Sequence, residues 1–125
     1  MIEEIPTVGQ LLKSVATLLS NEISPALAQQ DLQFKVRIAV NVLAIIEREW
    51  QQGPQVAEEE VAMVNALLGT DNHDLKALRA ELAEAIMNGQ YDDDLSALAT
   101  RLLPNACSRL SIDNPLYSTL LELQK

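Results

Sequence analysis

The stretch Phe34–Trp50, FKVRIAVNVLAIIEREW, carries the strongest structural signal in the chain. On a wheel of about 100° per residue, Arg37, Asn41, Ala44 and Arg48 fall within about 60° of one another. Most of the remaining arc is apolar: Phe34, Val36, Ile38, Ala39, Val40, Val42, Leu43, Ile45 and Ile46. The spacing predicts a helix from about Asp31 to Gln52. A helix apolar on so many sides is normally surrounded by others, so it is the predicted centre of the domain.

Toward the N-terminus, Thr7 follows Pro6 as an N-cap, and Gly9 weakens the start slightly. Val8, Leu11, Leu12, Val15, Leu18 and Leu19 then recur at three- and four-residue steps, which predicts a first amphipathic helix. Ser24-Pro25 closes it, because proline disfavours the helical conformation in the residue before it.

Toward the C-terminus, Gly53-Pro54 predicts a stop. A third helix follows over about Gln55 to Leu68, burying Ala57, Val61, Val64 and Leu68, with Gly69 at its C-terminal end. Glu58-Glu59-Glu60 falls in its first turns, where negative charge complements the helix dipole. Asp71 and Asp74 resemble a capping box and open a fourth helix, striped by Leu75, Leu78, Leu82, Ala85 and Ile86 and ended by Gly89. Asp92-Asp93-Asp94 starts a fifth, with Leu95, Leu98, Leu102 and Leu103 inward, which Pro104 is expected to kink or split. The apolar pattern resumes at Ala106 and Leu110. Asn114-Pro115 reads as an N-cap with proline at the first helical position of a short last helix carrying Leu116, Leu120, Leu121 and Leu123. No strand-like alternation appears and the connections are short. The expectation is one all-α domain over 1–125, a bundle of five or six mostly antiparallel helices around the 31–52 segment.

Composition supports that class and removes several functions. The four aromatic residues, Phe34, Trp50, Tyr91 and Tyr117, leave the core to Leu, Ile, Val and Ala. Nine basic against eighteen acidic residues give a net charge of −9. Nucleic-acid affinity comes largely from neutralising phosphates, so this balance disfavours nucleic acid, and anionic membrane surfaces likewise. Cys107 is the only cysteine, so no disulfide forms within the chain, which fits a reducing compartment. Met1-Ile2-Glu3-Glu4 lacks the basic start and apolar stretch of a signal peptide. The most apolar run, Ile38 to Ile46, is far short of the roughly 20 residues that span a bilayer. A cytoplasmic protein is expected.

No catalytic constellation emerges. His73 sits among Asp71, Asn72 and Asp74, a spacing that fits helix capping better than a calcium or zinc site. Asp92, Asp93 and Asp94 are consecutive and diverge by about 100° on a helix, so they do not converge on one ion. Cys107 has no histidine partner in view and reads as structural, and the isolated glycines form no phosphate loop. Neither metal nor cofactor is expected, and an enzyme is the least favoured class. The unusual feature is the Arg37, Asn41 and Arg48 stripe on the main apolar helix. Unpaired buried charges are expensive, so the arginines serve either an internal network, with Glu47 and Glu49 beside Arg48, or an anion pocket. Glu49, Asn114 and Tyr117 complete the candidate ligand set.

Beyond composition, FKVRIAVNVLAIIEREW resembles the central helix of an uncharacterised family of small all-helical bacterial proteins, through Phe34, Arg37, Ala39, Asn41, Leu43, Arg48 and Glu49. LAEAIMNGQYDDD (Leu82, Ile86, Gly89, Asp92), RLSIDNPLY (Leu110, Asn114, Pro115, Tyr117) and PTVGQLLKSVATLLSNEISPAL (Leu11, Leu12, Val15, Leu19, Pro25) look like further family segments. Met87 replaces an expected basic residue, and Pro104 interrupts an expected continuous helix. The resemblance implies a genomic setting beside aminoglycoside-phosphotransferase-like kinases and acyl-CoA dehydrogenases. The expected function is a non-catalytic accessory or interaction protein, partnering such an enzyme or itself as a homodimer. The alternative is a small anionic-ligand-binding module using Arg37, Asn41 and Arg48.

Overall fold

Thr7 sets the first helix going. Its side-chain oxygen accepts from the Gln10 backbone N–H at 3.1 Å, while the Gln10 side chain accepts from the Thr7 N–H at 2.9 Å. This reciprocal capping box satisfies two backbone donors that have no partner inside the helix. Helix α1 runs Val8–Leu18. Its end is not the proline: the backbone widens into a π turn over Leu19–Ile23 and then one helical turn, α2, Ser24–Ala26, before Leu27 becomes extended. Pro25 sits in the first positions of that turn, where its missing N–H is tolerated. The Gln33 side chain donates to the Leu27 carbonyl at 2.8 Å and fastens the connection.

The structure, a computed structural model, describes residues 5–125; the acidic start Met1–Glu4 lies outside them. The described residues form an all-α protein with no strand. Their elements after α2 are α3 (Gln30–Leu68), α4 (Leu75–Met87), a 3-10 turn (Asp92–Asp94), α5 (Leu95–Asp113) and α6 (Ser118–Leu123). No helix among them is long and apolar enough to cross a membrane.

The predicted break at Gly53-Pro54 is corrected: α3 continues through it as one helix of 39 residues. Proline opposes the helical conformation in its predecessor by a clash with that residue's Cβ and N–H, and Gly53 has no Cβ. The costs that remain are the hydrogen bond Pro54 does not donate and the crowding of its ring against the carbonyl four residues back. Pro104 likewise lies inside α5, which is not split. Because α3 is continuous, Glu58–Glu60 are not in a first turn, and their dipole role is withdrawn.

The chain divides into two compact units, 1–52 and 53–125. In the first, α1 runs antiparallel to the early part of α3. Lys13 pairs with Glu47 at 3.4 Å, and a Cβ on Gly9 would meet the Gln51 amide at 3.3 Å. Gly9 packs against the Gln51 and Glu47 side chains, and it is the one buried residue among described positions 5–52. The expected enclosure of the 31–52 segment is absent: none of those residues is fully buried. The physical reason is that α1 alone covers it within this unit, and one helix shields one face.

The second unit holds the core. Val56, Val64, Leu78, Leu82, Ala85, Leu98, Ile112 and Leu120 are its buried hydrophobic residues. Val64, Leu78 and Leu82 form its centre, with Met63, Leu67, Ile86, Tyr91 and Leu102 among those packed around them. Asn65 pins the connection between α3 and α4. Its side chain donates to the Asn72 carbonyl at 2.8 Å and accepts from the Asn72 N–H at 3.0 Å and the Thr70 hydroxyl at 2.7 Å. Gly69 takes the left-handed conformation (φ 69°) that ends α3, as predicted. Asp74, not Asp71, is the N-cap of α4, accepting from the Lys76 and Ala77 N–H groups. Asp94 caps α5 through Ala97. Asn114 is the C-cap of α5 rather than an N-cap, and α6 starts after Tyr117. A proline at 115 cannot donate back into α5, so the chain turns before helix resumes.

Candidate functional site

The residues of the polar stripe, Arg37, Asn41 and Arg48, all lie on α3. Arg37 and Asn41 are exposed on α3, Arg48 is half-buried, and Glu49 is exposed. The Arg37 guanidinium lies 5.7 Å from the Phe34 ring centroid, a cation–π distance. Glu47, expected beside Arg48, is engaged with Lys13. Asn114 and Tyr117 belong to the other unit, where the Tyr117 N–H donates to the Asn114 carbonyl at 3.1 Å. Two groupings therefore exist, one on a helix flank and one in a turn.

The larger feature of the first unit is apolar. Leu11 (52%), Phe34 (56%), Ile38 (48%), Val42 (46%), Ile46 (45%) and Trp50 (62%) all remain about half-exposed. Val15 and Leu18 are similarly open. Measured from the direction in which α1 and α3 face each other, Leu11, Val15 and Leu18 lie about 105° to one side of α1. For antiparallel helices, Val42 and Ile46 of α3 turn toward that same side, and Lys13, Arg37, Asn41 and Arg48 toward the opposite one. Val42, Ile46 and Trp50 thus share an apolar face with Leu11, Val15 and Leu18, while Phe34, within about 20° of Asn41 and beneath the Arg37 guanidinium, lies with the polar stripe. With about 150–250 Å² for each large side chain, these exposures without Phe34 leave roughly 600 Å² of apolar surface, at the upper end of the ~300–600 Å² of the largest patch on a typical monomer.

In the second unit the pattern of residues did not disclose an ion pair between a buried carboxylate and a half-exposed guanidinium. Glu60 is 9% exposed, and its carboxylate accepts from Arg79 in bidentate fashion, from Nε and, at 2.8 Å, from Nη2. The hydrogen bonds and charge of Glu60 raise the Arg79 pKa above its ordinary value, so the guanidinium stays charged. Three consecutive glutamates hid the pair, because only one of them points inward. Beside it opens a cleft of about 340 Å³, lined by Met63, Val64, Leu82, Ile86 and Leu102 together with Asn105 and Arg109. Asn105 donates to the Val56 carbonyl at 3.1 Å, tying α5 to the late part of α3. Among the described residues no three His, Cys, Asp or Glu side chains gather as a metal site. Cys107 is half-buried in α5.

Residues 25–117 match the family described as a domain of unknown function, DUF6285. The chain belongs to that family. The match runs from Pro25 through both units to Tyr117, so it includes the FKVRIAVNVLAIIEREW helix, the Glu60–Arg79 pair and the core around Leu78. No curated protein and no solved structure matches the chain.

Proposed function

We propose that this protein of the DUF6285 family is a non-catalytic accessory protein that assembles with other polypeptide chains through the apolar face of its N-terminal hairpin. The observation that carries the reading is the exposure of Leu11, Ile38, Val42, Ile46 and Trp50 on an ordered pair of helices. Apolar surface of that extent is unfavourable in water and is characteristically covered in a working assembly. The genomic setting implied by the resemblance gives the class of client, a phosphotransferase-like kinase or an acyl-CoA-processing enzyme. Size-exclusion with light scattering of the chain, alone and mixed with such an enzyme, tests this. Wild type is expected to form a larger species, and Val42→Glu to lose it. Identical masses for both at every concentration and in every mixture overturn the reading.

A second reading uses the opposite face. Arg37 and Asn41 are exposed on the same flank as Arg48, and a planar guanidinium suits a carboxylate or phosphate. A thermal shift on adding phosphate or citrate, lost separately in Arg37→Met and Arg48→Met, is its signature.

A further inference from the structure

The apolar face of the hairpin carries an internal symmetry about Val42. Ile38 and Ile46 lie four residues either side of Val42, each within about 40° of it on the helix. Lys35 lies seven residues before Val42 and Glu49 seven after, and all three fall within about 40° on the helix. The face therefore reads basic, Ile, Val, Ile, acidic, with Val42 at its centre.

We infer that the occupant of this face is a second copy of the chain, its long helix crossing the first antiparallel about a two-fold axis at Val42. This rests on the reading of the hairpin as the docking element and names what docks. A two-fold interface must be self-complementary. Here Ile38 meets the partner's Ile46, and Lys35 meets the partner's Glu49. A parallel pairing instead sets Lys35 against the partner's Lys35 and Glu49 against the partner's Glu49, and like charges across an interface are costly. The available area is of the right order: roughly 600 Å² of apolar surface compares with the ~800 Å² of total surface that each partner buries in a standard interface. Net charge permits it as well. Residues 1–52 carry four basic and six acidic side chains, net −2, while residues 53–125 carry five and twelve, net −7. The less charged unit is the one that presents the apolar face.

Sedimentation equilibrium of the whole chain tests the inference through a charge swap. Wild type is expected at twice 13.8 kDa. Lys35→Glu and Glu49→Lys should each weaken association about tenfold, and the double variant should restore it. In a Cys107→Ser background, a Lys35→Cys chain mixed with a Glu49→Cys chain should form a mixed disulfide far faster than either forms with itself. All positions changed on the face are exposed, and circular dichroism confirms that each variant keeps its helices. A dimer indifferent to the swap, or one in which Lys35→Cys pairs with itself, overturns the antiparallel crossing. A monomer at 100 µM overturns the second copy as occupant. In that monomer, binding of an apolar dye that Val42→Glu removes leaves the docking face standing with another chain as its occupant. Dye binding equal in wild type and Val42→Glu brings down the docking reading too.

Discussion

The two units of this chain are built from the same kind of helix and differ in what covers them. Residues 53–125 bury eight hydrophobic side chains, four of them almost completely, with Val64, Leu78 and Leu82 in one cluster. Residues 5–52 are at least as apolar in pattern, yet only Gly9 among them is buried. Hydrophobic periodicity reports that a face must be covered; it does not report by what. In the C-terminal unit several segments of one chain converge and do the covering. In the hairpin, α1 shields one side of α3 and the rest stays open.

Core truncations should separate the units most sharply. Leu78→Ala should cost about 2–5 kcal/mol in denaturant unfolding, because it opens a cavity where nothing is exposed now. Ile38→Ala, measured on protein dilute enough to be monomeric, should cost less than about 1 kcal/mol. Equal costs would break the comparison, since they would mean that the hairpin face is already enclosed.

The ion pair offers an asymmetric test inside the C-terminal unit. Glu60 is buried whereas the Arg79 side chain is 54% exposed, so their loss is not equivalent. Arg79→Met leaves a buried carboxylate without its partner and should cost about 1–3 kcal/mol. Glu60→Met leaves a guanidinium that water can reach and should stay within about 1 kcal/mol of wild type. The reverse order in thermal unfolding would show that the pair is held by Arg79 rather than by Glu60.

Helix starts should respond alike in both units, because a cap is a local device. Thr7→Ala and Asp74→Ala should each cost about 1 kcal/mol, read as lost stability of the helix that follows. A much smaller effect at Thr7 would mean that the hairpin's helices depend less on their ends. The smallest effect expected is at Gly9→Ala. The added Cβ meets the end of the flexible Gln51 side chain, while alanine improves helix propensity by up to about 1 kcal/mol. A slight rise in melting temperature is the outcome; a fall would show that the crossing of α1 and α3 has no room to give.

Much of this was legible from residues alone. Thr7 as a cap, the α1 stripe, the inward Leu78, Leu82 and Leu98, and the glycine ends at 69 and 89 all follow from spacing and backbone chemistry, which act over four or five residues. The errors share one origin. Gly53-Pro54 reads as a stop because proline breaks helices on average, yet a predecessor without a Cβ removes half of the conflict. Asn114 reads as a beginning and is an end, since Asn before Pro suits a turn of either polarity. In the candidate ligand set, Arg37, Asn41 and Arg48 share a flank because helical period fixes it, whereas Asn114 and Tyr117 meet in a turn that no periodicity describes.

By itself the sequence determined an all-α protein, the faces of its helices and the residues that need cover, because helix formation and amphipathicity are local and periodic. Only the tertiary structure decided that the cover is supplied in residues 53–125 and left open in the hairpin. It alone chose Glu60 from three adjacent glutamates to meet Arg79. Those outcomes depend on which segments meet across long stretches of chain, and a one-dimensional pattern holds no term for that distance.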